Sequence, residues 1–275
     1  MNSITPIRGA ARTERLKVWG GQIDLQVRIA GNGPAIVYFH GANGLWWDRF
    51  LDRLAETHTI HAVEMPGTSL GDPYAIHKLD TYWDLLLVYQ EAVSALGLDK
   101  PAAIGACMGG MVALDLAACY PALFSRAVVL DPLGLWLDDV PIGYADLVAS
   151  TPEKVLHTLY DDPGLPQVQE MLVLPDDPDL RAQVIGAMVW TLGCTGKFLW
   201  PIPDQGLARR LHRVVIPVQI IWGRNDKLVP VVYADAFAAR IADSRVAVID
   251  HAGHVPQLEQ PDQTLAAIMP FLAGS

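Results

Sequence analysis

The chain has 275 residues, half of them apolar (51%) and only 18% charged. That is enough to bury the core of one large domain, or of a domain carrying an insertion, and it excludes general disorder. A formal net charge of −10 excludes a nucleic-acid backbone as partner, because no basic stripe is present to release counterions.

No run approaches the roughly 18 apolar residues that span a bilayer, so no membrane partner is expected. The polar stretch Met1–Lys17 lacks the apolar core of a secretion signal. Of the three cysteines, Cys107 and Cys119 fall on one expected helix, about 18 Å apart, and cannot pair. These features point to a reducing, cytoplasmic setting.

In chain order, "LKVWGGQIDLQVRIAGNG" reads as two strands joined in a hairpin through Gly20-Gly21. "AIVYFHG" has the profile of a strand buried on both faces, followed by a helix around Trp46–Glu56 and the strand "TIHAVEMPG". Between Thr81 and Leu98, the positions Leu85, Val88, Ala92, Ala95 and Leu96 recur at helical spacing. "AAIGA" is the next strand, Met108–Tyr120 a helix and "AVVLDP" a strand. This alternation predicts an α/β fold with a mostly parallel sheet and helices on both faces. From Gly134 to Gly206 it stops, leaving helix-like pieces punctuated by Pro and Gly. It resumes with "VQIIWG", a helix after Pro230, "RVAVID" and a last helix from about Asp262. The expected organisation is a core domain of residues 1–133 and 207–275, with a helical cap of residues 134–206 inserted after the sixth strand.

Chemistry concentrates at the strand-to-helix junctions. Gly105-Ala106-Cys107-Met108-Gly109 has the spacing G-x-C-x-G between an expected strand and an expected helix. Such a turn strains its central residue, requires small neighbours and lifts the side chain above the carboxyl edge of the sheet. The positive end of the helix favours a thiolate there, so Cys107 is the candidate nucleophile. His254, in the loop before the last helix, is the candidate base, with His251 its neighbour and competitor. Asp226, after "VQIIWG", is the candidate orienting acid, with Asp131 at the end of "AVVLDP" as the alternative. The amides of Met108 and of Ala42 or Asn43 in "HGANG" are candidate donors for a developing oxyanion.

Together, "FHGANG", "GACMGG", "WGRNDKLVP" and "AGHVPQLEQP" resemble the α/β-hydrolase fold family, over nearly the whole chain from Leu16 to Leu272. The closest likeness is to the capped bacterial esterases and carbon–carbon hydrolases. The resemblance implies a triad of Cys107, His254 and Asp226. Most members of that family carry serine at the elbow; dienelactone hydrolases and polyhydroxyalkanoate synthases and depolymerases carry cysteine, and the likeness to these is confined to the elbow.

A hydrolase of esters, lactones or thioesters, acting on small molecules through an acyl-thioenzyme, is the expected function. An acyltransferase, a carbon–carbon hydrolase, a ligand-binding or signalling protein of little turnover, and a serine esterase altered to carry cysteine stand as alternatives. No cofactor or metal is implied. The oligomeric state is left open, a homodimer included. In the cap, eleven acidic residues outnumber the three basic ones, Lys154, Arg181 and Lys197. That balance favours neutral acyl groups, with Lys197 the one inward cation that could serve an anionic substrate. Trp46, Trp47, Trp136, Trp190 and Trp200 are candidate walls for an apolar acyl pocket, although packing between cap and core would use the same residues.

Overall fold

The computed structural model describes residues 12–68, 72–143, 150–200 and 203–274. Most of Met1–Lys17 and the stretch 144–149 of the expected cap therefore lie outside the described residues.

A single eight-stranded sheet organises the chain, in the order β1-β2-β4-β3-β5-β6-β7-β8. β1 (Arg12–Val18) and β2 (Ile23–Ala30) form the expected hairpin, and β2 pairs antiparallel with β4 (Thr59–Val63). All other pairings, through β3 (Ala35–Phe39), β5 (Ala102–Ala106), β6 (Ala127–Leu130), β7 (Val218–Gly223) and β8 (Ser244–Ile249), are parallel. Burial follows position. β2 alternates strictly between buried and half-buried residues, whereas β6 and β7 are buried throughout, as strands covered on both faces must be.

Two apolar layers cover the sheet. On one face, α2 (Tyr82–Ala95), α3 (Met108–Cys119) and α7 (Val232–Ala238) bring Leu85, Val112 and Phe237 into one buried cluster with Val37 and Phe39, Phe237 meeting Trp222 of β7. On the other, α1 (Arg49–Ala55) and α8 (Pro261–Ala273) bring Phe50, Leu51 and Ile268 into a second buried cluster with Ile36 and Ile104. Burying each such side chain stabilises the fold by about 1.5–3 kcal/mol, before conformational entropy is subtracted.

Between β6 and β7 the chain forms α4 (Pro152–Leu159), α5 (Pro166–Leu172) and the long α6 (Pro178–Leu199). Each opens with proline in its first turn, where a missing N–H costs nothing. Thr151 and Asp177 cap α4 and α6 by accepting the Lys154 and Leu180 amides. No helix among the described residues is long and apolar enough to cross a membrane.

One boundary departs from the sequence reading. The helix expected from Trp46 begins only at Arg49, because Asp48 takes an extended backbone and accepts the Leu51 amide at 3.0 Å. An N-cap ends the helix on its own N-terminal side. Trp46 and Trp47 thus lie in the extended lead from the end of β3.

Candidate active site

The site is built at the carboxyl edge of the parallel strands. Cys107 sits between β5 and α3 with φ 52° and ψ −115°, a strained backbone for a residue with a Cβ. Its amide is anchored to the Leu130 carbonyl at 2.8 Å, which ties the turn to the end of β6. The flanking glycines are needed for close approach. A Cβ on Gly105 would fall 2.3 Å from the Gly109 carbonyl oxygen, and one on Gly109 would fall 2.0 Å from the Phe39 oxygen. Any side chain at either position would push α3 off the sheet and move the thiol.

His254 follows β8 and is buried. Its Nδ1–H donates to Asp226 Oδ2 at 2.8 Å, and its backbone amide donates to the Leu159 carbonyl at 2.8 Å. Asp226, in the turn after β7, is fixed in return: Oδ1 accepts the amides of Leu228 and Val229 at 2.8 and 2.9 Å. Burial alone would push the His254 imidazole down in pKa. The facing Asp226 carboxylate outweighs it, and Cys107 adds to this both as a charge and as a hydrogen-bonding group, so the ring is held well above its ordinary value. Nε2 is buried and makes no hydrogen bond of regular geometry among the described residues. It is the ring nitrogen that Asp226 leaves open. His251 is exposed and stands outside this arrangement.

The loop after β3 runs close to Cys107, since a Cβ on Gly41 would meet Cys107 Cβ at 3.4 Å. The amides of Ala42 and Met108 have no backbone acceptor among the described residues. Asn43 is exposed. The loop is held from below by His40, which donates from Nδ1 to the Gly41 carbonyl and accepts the Met65 amide at Nε2. Burial pushes His40 down to a pKa of about 4, so the ring stays neutral and can keep both bonds.

The aromatic candidates separate. Trp46 and Trp47 line an apolar cleft of about 1260 Å³ between α1, α5, α6 and the chain after His254. Cys107, His254 and Asp226 do not line it; Gln257 and Leu258, which follow the His254 loop, do. Trp136 packs half-buried on the core. Trp190 donates to the Gly67 and Pro73 carbonyls, and Trp200 is half exposed at the end of α6. The Lys197 ammonium is engaged by the Leu79 carbonyl.

Two contacts were missed in the sequence. Glu259 accepts the amides of Gly253, Asp161 and Asp162, clamping the His254 loop to the end of α4. Thr195 of α6 donates to the Ala42 carbonyl at 3.0 Å. Neither carries a local signal, because each reads as an ordinary helix residue until the fold brings distant backbone to it.

The other thiols are less available. Burial pushes Cys119 up in pKa and pushes Cys194 up to about 11. Limited alkylation of the folded protein with peptide mapping labels Cys107 first. Prior labelling of Cys119 or Cys194 contradicts the placement of a reactive thiol at the elbow.

Human monoacylglycerol lipase ABHD6 is 25% identical over 276 residues, covering 89% of this chain and 77% of that protein. The 2-hydroxy-6-oxo-6-phenylhexa-2,4-dienoate hydrolase of Burkholderia cepacia is 25% identical over 270 residues, covering 91% of each. The crystal structure of a bacterial membrane phospholipase A superposes with a TM-score of 0.78 at 18% identity, over 96% of this chain and 86% of that one. The sequence profile of the alpha/beta hydrolase family matches residues 36–268, and the chain belongs to that family.

Proposed function

We propose that the protein hydrolyses carboxylic esters, lactones or thioesters of neutral, apolar acyl groups, with Cys107 as nucleophile, His254 as base and Asp226 as its orienting acid. The observation that carries this reading is His254 itself, bonded to Asp226 through one nitrogen while the other is free beside Cys107. In the first step the sulfur attacks the acyl carbon, its proton passing to or already resting on His254 Nε2. The carbonyl oxygen becomes an oxyanion, accepted by the Met108 and Ala42 amides, with Asn43 the further candidate. As the tetrahedral species collapses, the bond to the leaving oxygen or sulfur breaks, and that atom takes the proton from His254. The imidazole, now neutral, removes a proton from water, which attacks the thioester. The acid product leaves and the thiol is restored.

For the acyl group, the cleft beside Trp46 and Trp47 supports an apolar chain, with Met171, Val184, Met188 and Leu258 on its walls. Arg49 and Arg53 at its edge are outnumbered by Asp48, Asp52, Glu170, Glu259 and Asp262. Lys197 is turned to a backbone carbonyl. Residues 134–206 then act as the cap over this cleft. Similarity to a monoacylglycerol lipase supports the ester reading. Similarity to a dienoate hydrolase supports carbon–carbon cleavage as a second reading, and the acidic balance of the cleft weighs against its anionic substrates. The same thioester would pass its acyl group to an amine or thiol. A free thiol at the elbow fits action in a reducing compartment, such as the cytoplasm.

Paired aryl esters test the acyl preference. An aliphatic acyl group of matched length is processed at least about 10-fold faster than its ω-carboxylate analogue. Equal rates contradict the neutral-acyl assignment and leave the triad untouched.

A further inference from the structure

A second buried carboxyl stands behind the pair just described. β6 and β7 run side by side with Leu130 opposite Ile221, so Asp131 lies next to the start of the turn that carries Asp226. Asp131 is fully buried and has φ 44°, an uncommon left-handed backbone for aspartate inside a sheet edge. Its Oδ1 accepts the Gly223 amide at 2.9 Å. Its Oδ2 is buried with no partner among the described residues. One polar atom each of Asp131, Asp226 and His254 lies within 4.8 Å of the other two.

Two carboxylates this close in a buried site do not both hold a charge. The hydrogen bonds decide which one keeps it. Asp226 receives three donors, from Leu228, Val229 and His254, whereas Asp131 receives one, from Gly223. An ionised carboxyl only accepts, so an ionised Asp131 leaves Oδ2 unsatisfied; a proton on Oδ2 turns it into a donor facing Asp226. We propose that Asp131 is a neutral carboxylic acid whose Oδ2–H donates to the Asp226 carboxylate, making it a positioning residue for the His254–Asp226 pair.

This rests on the reading of Cys107, His254 and Asp226 as a triad. The groups facing Asp131 are Asp226 from the β7–α7 turn, His254 from the loop after β8 and the Gly223 amide, with Cys107 beyond the imidazole. Burial, and after it the Asp226 charge, hold the Asp131 carboxyl well above the usual carboxylate range.

Three readouts test it. Infrared difference spectra of wild type minus Asp131→Asn at pH 8 show the carbonyl stretch of a protonated carboxylic acid. Its absence overturns the proposal, whatever the enzyme's activity. Asp131→Ala, which removes the donor, lowers kcat between about 10- and 100-fold. Asp131→Asn recovers most of that loss, because its amide N–H can donate to Asp226 while its oxygen accepts from Gly223. In Asp131→Asn the alkaline limb of the kcat/KM profile stays in place, since one neutral group replaces another. A fall of a unit or more means that an anion was removed from beside His254, and overturns the assignment. If Asp131→Ala does not fold, the infrared and Asp131→Asn measurements still decide. Activity lost on dialysis against EDTA and restored by zinc would make the cluster a metal site and also overturn it. A protonated Asp131 in a protein whose activity survives Cys107→Ala would sink the triad reading, and is distinguishable from all of these.

Discussion

Replacing His254 by alanine lowers turnover at least ~10²-fold, the scale on which a positioned general base contributes. The ring has one role on each side. Its Nδ1–H is fixed by Asp226 at 2.8 Å, which leaves Nε2 as the only nitrogen able to serve the thiol, the leaving group and water. Cys107→Ala removes the bond-forming atom itself and costs at least ~10⁴-fold. Asp226→Asn costs less than His254→Ala, because a thiolate depends on an orienting acid less than an alkoxide does. The order is therefore Cys107, His254, Asp226, measured as kcat with one activated ester. Loss of activity in Asp131→Asn while Asp226→Asn remains active would move the orienting acid to the end of β6.

The second large effect concerns the leaving group. A thiolate is a better leaving group than an alkoxide or an amide nitrogen. A tetrahedral species formed from a simple amide therefore collapses backwards and expels Cys107, whereas one formed from an activated aryl ester or a thioester moves forward. Deacylation needs a water activated by His254 and becomes the slow step. Stopped-flow mixing with an aryl ester gives a burst close to one equivalent, then slower steady turnover. Cys107→Ser keeps the fold, since serine fits the same strained turn, and turns over simple alkyl esters faster than the parent. Rapid amide cleavage with no burst, abolished by Cys107→Ala, contradicts this account of the rate-limiting step.

Local chemistry explains which parts of this site could be read from the sequence. The elbow was legible because G-x-C-x-G needs glycine at the two positions where a Cβ would strike the Phe39 and Gly109 carbonyls. Strands buried on both faces announced themselves as unbroken apolar runs, as β7 does from Val218 to Gly223. The start of α1 was misplaced because Trp46 and Trp47 continue an apolar pattern that the Asp48 cap interrupts. Glu259 and Thr195 were invisible for a different reason. Their partners, Gly253 with Asp161 and Asp162, and Ala42, are set by how α4 and α6 meet the loops at the sheet edge. Asp131 was recognised as an alternative to Asp226, but only the parallel pairing of β6 with β7 brings the two carboxyls together.

Covalent capture tests the central claim most directly. The protein is mixed with an activated aryl ester of a neutral aliphatic acid, quenched in acid within the burst, and weighed intact. The mass rises by one acyl group, peptide mapping places it on Cys107, and His254→Ala slows its appearance. No adduct during turnover, or an acyl group carried by another residue, contradicts an acyl-thioenzyme at the elbow.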